Sequence, residues 1–185
     1  MAVHIANVFI NIPFDNQYER LYLALIASIV GLGAYPRSTL EVPPTKDRLR
    51  RIFTLIRSCD ISIHDLSRVQ LSRSAPRCPR LICHSKQDSL QPNRCRLQKS
   101  LSDLNGYEVN VHEGTIEGMV AVLLDIFPYR PSQPGPTELR ALCRLLAKAA
   151  PEIKIQSNRD LFRPRAFDLL RETAAEFARR TRILL

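Results

Sequence analysis

The chain predicts an α/β fold: an open, mostly parallel sheet flanked by helices, with a helical extension at its C-terminal end. Three observations predict it. An apolar run in Val8-Phe-Ile-Asn-Ile-Pro-Phe-Asp15 stops at Asn11, Pro13 and Asp15 before a helical pattern begins, as a short buried strand does when it hands over to a helix. A second block, Asp60-Ile-Ser-Ile-His-Asp-Leu-Ser67, ends in polar residues in the same way. Helical periods lie between and after these blocks, and alternating strands and helices are the order of a parallel sheet with crossover helices.

Each element has its own local reason. Pro13 cannot donate to a ladder, so the first strand must leave the sheet there. Leu21, Leu25, Ile29 and Leu32 recur at helical spacing, and Gly31 and Gly33 are placed to end that helix. Tyr35 to Leu40 reads as a second strand. Pro43-Pro44 forces a loop, and Thr45 or Asp47 can cap a helix carrying Leu49, Ile52, Phe53 and Ile56 on one face. Ile61 and Ile63 suit a third strand. From Leu71 to Cys95 no period of two or 3.6 is sustained, and Pro76, Pro79 and Pro92 fall in the stretch, so a loop or disorder is expected. Arg96 to Leu104 reads as a short helix, Tyr107 to Val111 as a strand and Thr115 to Phe127 as an amphipathic helix. Glu138 to Ala150 and Arg165 to Ile183 read as two helices joined by a loop containing Pro151 and Pro164.

Length and charge bound the organisation. At 185 residues the chain suits one domain with an appendage. The expected division is an α/β domain over 1–127, a proline-rich linker over 128–136 and a helical extension over 137–185. The longest apolar stretch, Leu21 to Leu32, is broken by Ser28 and Gly31 and is too short to cross a bilayer, so it reads as a buried helix. The first residues lack a basic region followed by an apolar core, so export is not expected and the expected compartment is the cytoplasm. The five cysteines form no regular framework and read as reduced thiols. Of the net charge of +9, the stretch Arg68 to Lys99 supplies +7, from eight basic residues and Asp88. That stretch carries no aromatic residue on which a base could stack, which argues against nucleic-acid binding.

In an open α/β sheet ligands sit outside the carboxyl ends of the strands. Asn11, Phe14 and Asp15 are therefore site candidates from the first strand, and His64, Asp65 and Ser67 from the third. Asn11 and Asp15 have a second reading, in which they satisfy the turn and cap the following helix. His64 could act as acid or base, or could be a structural histidine in an apolar strand. Ser62, His64 and Asp65 are neighbours on one strand, where alternate side chains face opposite ways, so they form no triad by themselves. Cys78, Cys83, His84 and Cys95 lack the spacing of a paired zinc knuckle, and no metal or other cofactor is expected.

Val8-Phe-Ile-Asn-Ile-Pro-Phe-Asp15 with Tyr18, Ile56-Arg-Ser-Cys-Asp-Ile-Ser-Ile-His-Asp-Leu-Ser-Arg68 and Leu97-Gln-Lys-Ser-Leu-Ser-Asp-Leu-Asn-Gly106 resemble a group of mostly uncharacterised bacterial proteins. That group looks related to nucleoside 2-deoxyribosyltransferases and Toll/interleukin-receptor-like domains. The resemblance covers about Val8 to Phe127 and none of the tail. It implies a nucleoside or nucleotide ligand in a flavodoxin-like (Rossmann-like) sheet, a place in bacterial defence or signalling, and self-assembly as a homo-oligomer. It also implies cleavage or transfer of an N-glycosidic bond by a glutamate, in a segment like Phe-Asn-Met-Pro-Phe-Glu-Leu-Gly soon after the Asp-Leu-Ser block. Breaking that bond builds positive charge on the sugar, which a carboxylate at the anomeric carbon stabilises. Asp65 would hold the sugar hydroxyls, and Asn11 and Asp15 would line the same crevice. The reading depends on Asn11 and Asp65 converging on one cleft.

The chain departs from this pattern where chemistry needs it most, because no Glu lies between Ser67 and Leu97. A shifted reading frame accounts for the loss. Permitted codons for Arg80 to Asp88, read from the third base of Arg80, translate as Phe-Asn-Met-Pro-Phe-Glu-Ala-Gly. Cys78 to Cys95 is then an out-of-frame peptide. The expectation is a weakened sheet, an open crevice and no N-glycosidase activity. Beside nucleotide recognition stand two other functions, a self-assembling interaction module and nucleic-acid binding through 68–99.

Overall fold

The computed structural model describes residues 5–65, 80–85 and 108–183; at 80–85, 108, 109 and 111 the description is of the backbone. The strands are β1 (Asn7–Asn11), β2 (Tyr35–Ser38), β3 (Ile61–Asp65), β4 (Arg80–Ser85) and β5 (Glu108–Val111), in the order β2-β1-β3-β4-β5. The helices are α1 (Glu19–Gly31), α2 (Arg48–Ser58), α3 (Ile116–Ile126), α4 (Pro136–Gln156) and α5 (Pro164–Arg180). The fold is α/β, with β2, β1 and β3 parallel and helices packed on the sheet.

β1 is buried on both faces. Val8 and Ile10 face one core with Ile61 and Ile63 of β3, while Phe9 faces a smaller one with Val42, Leu55 and Cys59. The alternation follows from the two-residue period of a strand. Asp60 fixes the entry to β3, because its Oδ2 accepts from the Asn7 amide at 2.8 Å while its own amide donates to the Asn7 carbonyl at 2.8 Å.

α1 is buried along Leu21 to Gly31, as its apolar sequence requires. It can be enclosed because its packing face is small. Cys143 of α4 lies 3.7 Å from both Ser28 Oγ and the Ala24 carbonyl, and a Cβ on Gly31 would meet Leu139 at 2.6 Å. α4 and α5 share this core with α1 through Leu142, Leu146, Phe167 and Leu170. α4 and α5 thus cover α1, and α4 is tied further by Lys154 Nζ to Glu19 Oε1 at 2.6 Å.

Two sequence expectations are corrected. The stretch expected to be loop or disorder contains β4, which runs antiparallel to both β3 and β5. Four strands therefore point one way and β4 alone the other, in a sheet expected to be mostly parallel. β4 occupies the proline-free interval after Pro79, which a strand paired on both sides requires. α4, expected to stop at Ala150, continues through Pro151 to Gln156. Pro151 and Ala147 lie on the exposed side, where water can reach the carbonyl that the ring frees, and Ile153 beyond them is buried.

α2 also departs from its expected pattern. Ile52 and Ile56 pack on the smaller core and Leu55 is buried in it, whereas Leu49 and Phe53 are exposed. Among the described residues, no helix is long and apolar enough to cross a membrane.

Candidate functional site

The chain goes from β1 outward to β2 and returns to β3 on the other side of β1. The carboxyl ends of β1 and β3 therefore flank the point where the connections diverge, which is where open α/β sheets take ligands. Two polar groups stand there, on opposite faces.

On the α2 face the register sets Asn11 beside His64. The Asn11 amide nitrogen lies 3.4 Å from His64 Nδ1, and the imidazole is tilted against Phe9 with ring centroids 6.0 Å apart. Asn11 is exposed and His64 half-buried.

On the α1 face lies a sealed cluster. Asp65 is the last residue of β3, and the next side chain after His64 must point the other way. Its Oδ2 accepts from the Tyr18 hydroxyl and lies 3.1 Å from His112 Nε2; the side chains of Asp65 and His112 are wholly buried. His112 follows β5 directly. Its Nδ1 accepts from the Gly114 amide at 3.3 Å, so Nε2 carries the proton directed at Asp65. Glu113 and Gly114 both take left-handed backbone conformations, with φ of 54° and 70°, in the turn that carries this amide. The cluster joins the start of α1 and the ends of β3 and β5, and both imidazole nitrogens are occupied. Burial, then the charge of Asp65 and the hydrogen bond to it, push the Tyr18 phenol far above its ordinary value.

α3 closes over this cluster at a glycine. Thr115 caps it, its Oγ1 accepting from the Gly118 amide at 3.0 Å. A Cβ on Gly118 would lie 2.2 Å from the His112 carbonyl oxygen and 2.7 Å from its carbon, backbone atoms with no rotamer to yield. Gly118→Ala is expected to cost about 2–3 kcal/mol in a urea titration by forcing α3 away from the His112 turn. An unchanged unfolding midpoint rules out this close approach.

No family model, no curated protein and no solved structure matches the chain. The site is therefore read from its own geometry.

The expected convergence of Asn11 and Asp65 on one cleft does not occur, because β-strand parity places them on opposite faces of the sheet. Asp65 is held by Tyr18 and His112 instead of facing a ligand. Asp15 takes its second reading: its Oδ1 and its carbonyl both accept from the Tyr18 amide, at 3.0 and 2.9 Å. Phe14 turns towards the tail, its ring 5.7 Å from that of Phe162. Ser67 and Leu97 to Gly106 lie outside the described residues, as do Cys78, Cys95 and most of the basic 68–99 stretch. Of the cysteines, Cys59 and Cys143 are buried free thiols. Burial pushes both thiols above their ordinary value.

Sequence reasoning missed His112, although the strand-end rule that selected Asp65 applies equally to the residue after β5. It also missed a cavity of about 740 Å³ at the other end of the sheet, between the α1–β2 turn, residues 130–134 and one face of α5.

Proposed function

We propose that the chain is a nucleoside- or nucleotide-binding domain on a flavodoxin-like sheet, of the kind its sequence blocks resemble, that it binds on the Asn11 and His64 face without Asp65, whose expected convergence with Asn11 fails, and that it does not cleave an N-glycosidic bond. The strand order supports the reading: β2, β1 and β3 are parallel and the connections diverge between β1 and β3, where a ligand crevice of an open α/β sheet lies, although β4 runs antiparallel beyond them. The polar groups at that crevice on the α2 face are Asn11 and His64, an amide and an imidazole that can each donate to and accept from a base edge or a sugar hydroxyl. The absence of cleavage is supported by two facts. The glutamate segment is missing from the chain, and Asp65 is enclosed by Tyr18 and His112.

The test is a thermal-shift series with adenosine, a nicotinamide dinucleotide and a cyclic nucleotide, each at millimolar concentration. Ligand at a hundred times its dissociation constant adds about 2.7 kcal/mol to stability, which for a chain of this size raises the melting temperature by about 5–11 °C. Asn11→Ala and His64→Ala are expected to abolish the rise. Asn11 is exposed, so its variant leaves the ligand-free melting temperature within about 2 °C. No rise with any of the three overturns the binding reading, and release of free base or nicotinamide overturns the non-catalytic one. The shifted frame is decided separately by the gene: codons over Arg80 to Asp88 that cannot encode the Phe-Asn-Met-Pro-Phe-Glu-Ala-Gly translation remove it.

A further inference from the structure

The geometry points to a second ligand site, for an amphipathic organic anion, in the cavity between the edge strand β2 and α5. Asp168, Arg171, Ala175 and Arg179 line it from α5, a spacing that keeps them on one face of the helix. At about 740 Å³ it has the size of a small-molecule pocket. Its inner wall is apolar: Val30, Leu32, Ala34 and Pro134 are buried, and Ala175 and Ile183 are half-buried. An apolar body is the natural filling for such a wall.

The charges around it separate into a built wall and an uncommitted rim. Arg171 belongs to the wall. Its guanidinium lies between the Tyr35 and Phe167 rings, 4.7 and 4.5 Å from their centroids, and donates to the Pro36 carbonyl at 3.2 Å. It also pairs with Asp168 and, at 3.5 Å, with Glu41. Neither charge of the Arg171–Asp168 pair is left for a ligand. Arg130 and Arg179 are exposed at the rim and make no ion pair among the described residues; Glu172, also exposed, makes none either. Two free cations against one free carboxylate leave the rim positive, and guanidinium groups hold carboxylates and phosphates in a charge-assisted fork. An apolar wall under a cationic rim selects an acyl or aryl chain ending in an anion. The site lies at the end of the sheet opposite Asn11 and His64, so it stands independently of the nucleotide reading.

Anilinonaphthalene sulfonate, an anion on an aromatic body, is the first probe, followed by competition with dodecanoate and with dodecyltrimethylammonium. Saturable fluorescence at one probe per folded chain is expected, displaced by dodecanoate and not by the cation. Substituting Arg130→Gln and Arg179→Gln together weakens the probe by about tenfold, equal to 1.4 kcal/mol. Ala175→Trp fills the cavity and abolishes binding; should it fail to fold, the double arginine variant, changed only at exposed positions, decides alone. Asn11→Ala leaves probe binding unchanged, which separates this site from the crevice. Equal displacement by the cation, or full binding in the double arginine variant, overturns the proposal.

Discussion

Asp65→Ala is expected to lower the unfolding free energy by about 3–5 kcal/mol, a large part of the stability of a domain this size. The substitution removes the acceptor that two buried donors share, the Tyr18 hydroxyl and His112 Nε2–H. An unsatisfied buried donor costs more than the net value of the bond it lost. Tyr18→Phe removes one donor and leaves Asp65 its bond from His112, so its expected cost is smaller, about 1.5–3 kcal/mol. The two residues are the donor and acceptor of one bond and should couple strongly in a double-mutant cycle. Urea titration of the two single variants and the double variant measures all three quantities. A cost below about 0.5 kcal/mol for Asp65→Ala would mean that the carboxylate is a solvent-facing ligand group after all. The same variant then discriminates function: a locking residue lowers stability, whereas a sugar-binding residue would lower affinity and leave stability intact.

Why the sequence exposed one half of this site and concealed the other is a matter of register and distance. Val8 to Asn11 and Ile61 to Asp65 are legible as strands because each is a short apolar run ended by polar residues. α1 is legible because its apolar residues complete three turns. Position at a strand end then marks Asn11, His64 and Asp65. Parity alone separates His64 from Asp65, but which of them shares a face with Asn11 depends on how β3 slides against β1, and that register is set by packing of Ile10 and Ile63 in the core. The partners of Asp65 come from elsewhere in the chain, Tyr18 at a separation of 47 residues and His112 after β5. No local pattern announces them. β4 was hidden for another reason: Leu81, Ile82 and Cys83 are too few to show a period, and pairing with strands on both sides determines their conformation. The cavity depends on α5 docking beside β2, a contact made by the Arg171 guanidinium on the Pro36 carbonyl, which periodicity does not encode.

Above about pH 10 the protein is expected to lose stability steeply, by about 2.7 kcal/mol for each further pH unit from two tyrosines. Tyr18 and Tyr22 are both buried, and both phenols are pushed far above their ordinary value. For Tyr22 the first cause is burial; Arg171 opposes it, while Asp160 and Asp168 add to it. The sign follows from proton counts. In the unfolded chain these phenols ionise near pH 10, whereas in the folded chain they keep their protons, so the folded state holds more protons and each step upward in pH favours unfolding. Their full contribution is present below about pH 10 and is lost as pH rises beyond it. The thiols of Cys59 and Cys143, also pushed up by burial, add to the loss from about pH 8.5. Tyr22 gives the sharpest check, because its hydroxyl is buried with no hydrogen-bond partner among the described residues. Tyr22→Phe therefore deletes a desolvated polar group without breaking a bond. It should raise stability by about 1 kcal/mol at neutral pH and reduce the alkaline slope by about 1.4 kcal/mol per pH unit. Urea titrations at successive pH values above 10 compare the variant with the parent chain; an unchanged slope would place the Tyr22 hydroxyl in contact with water.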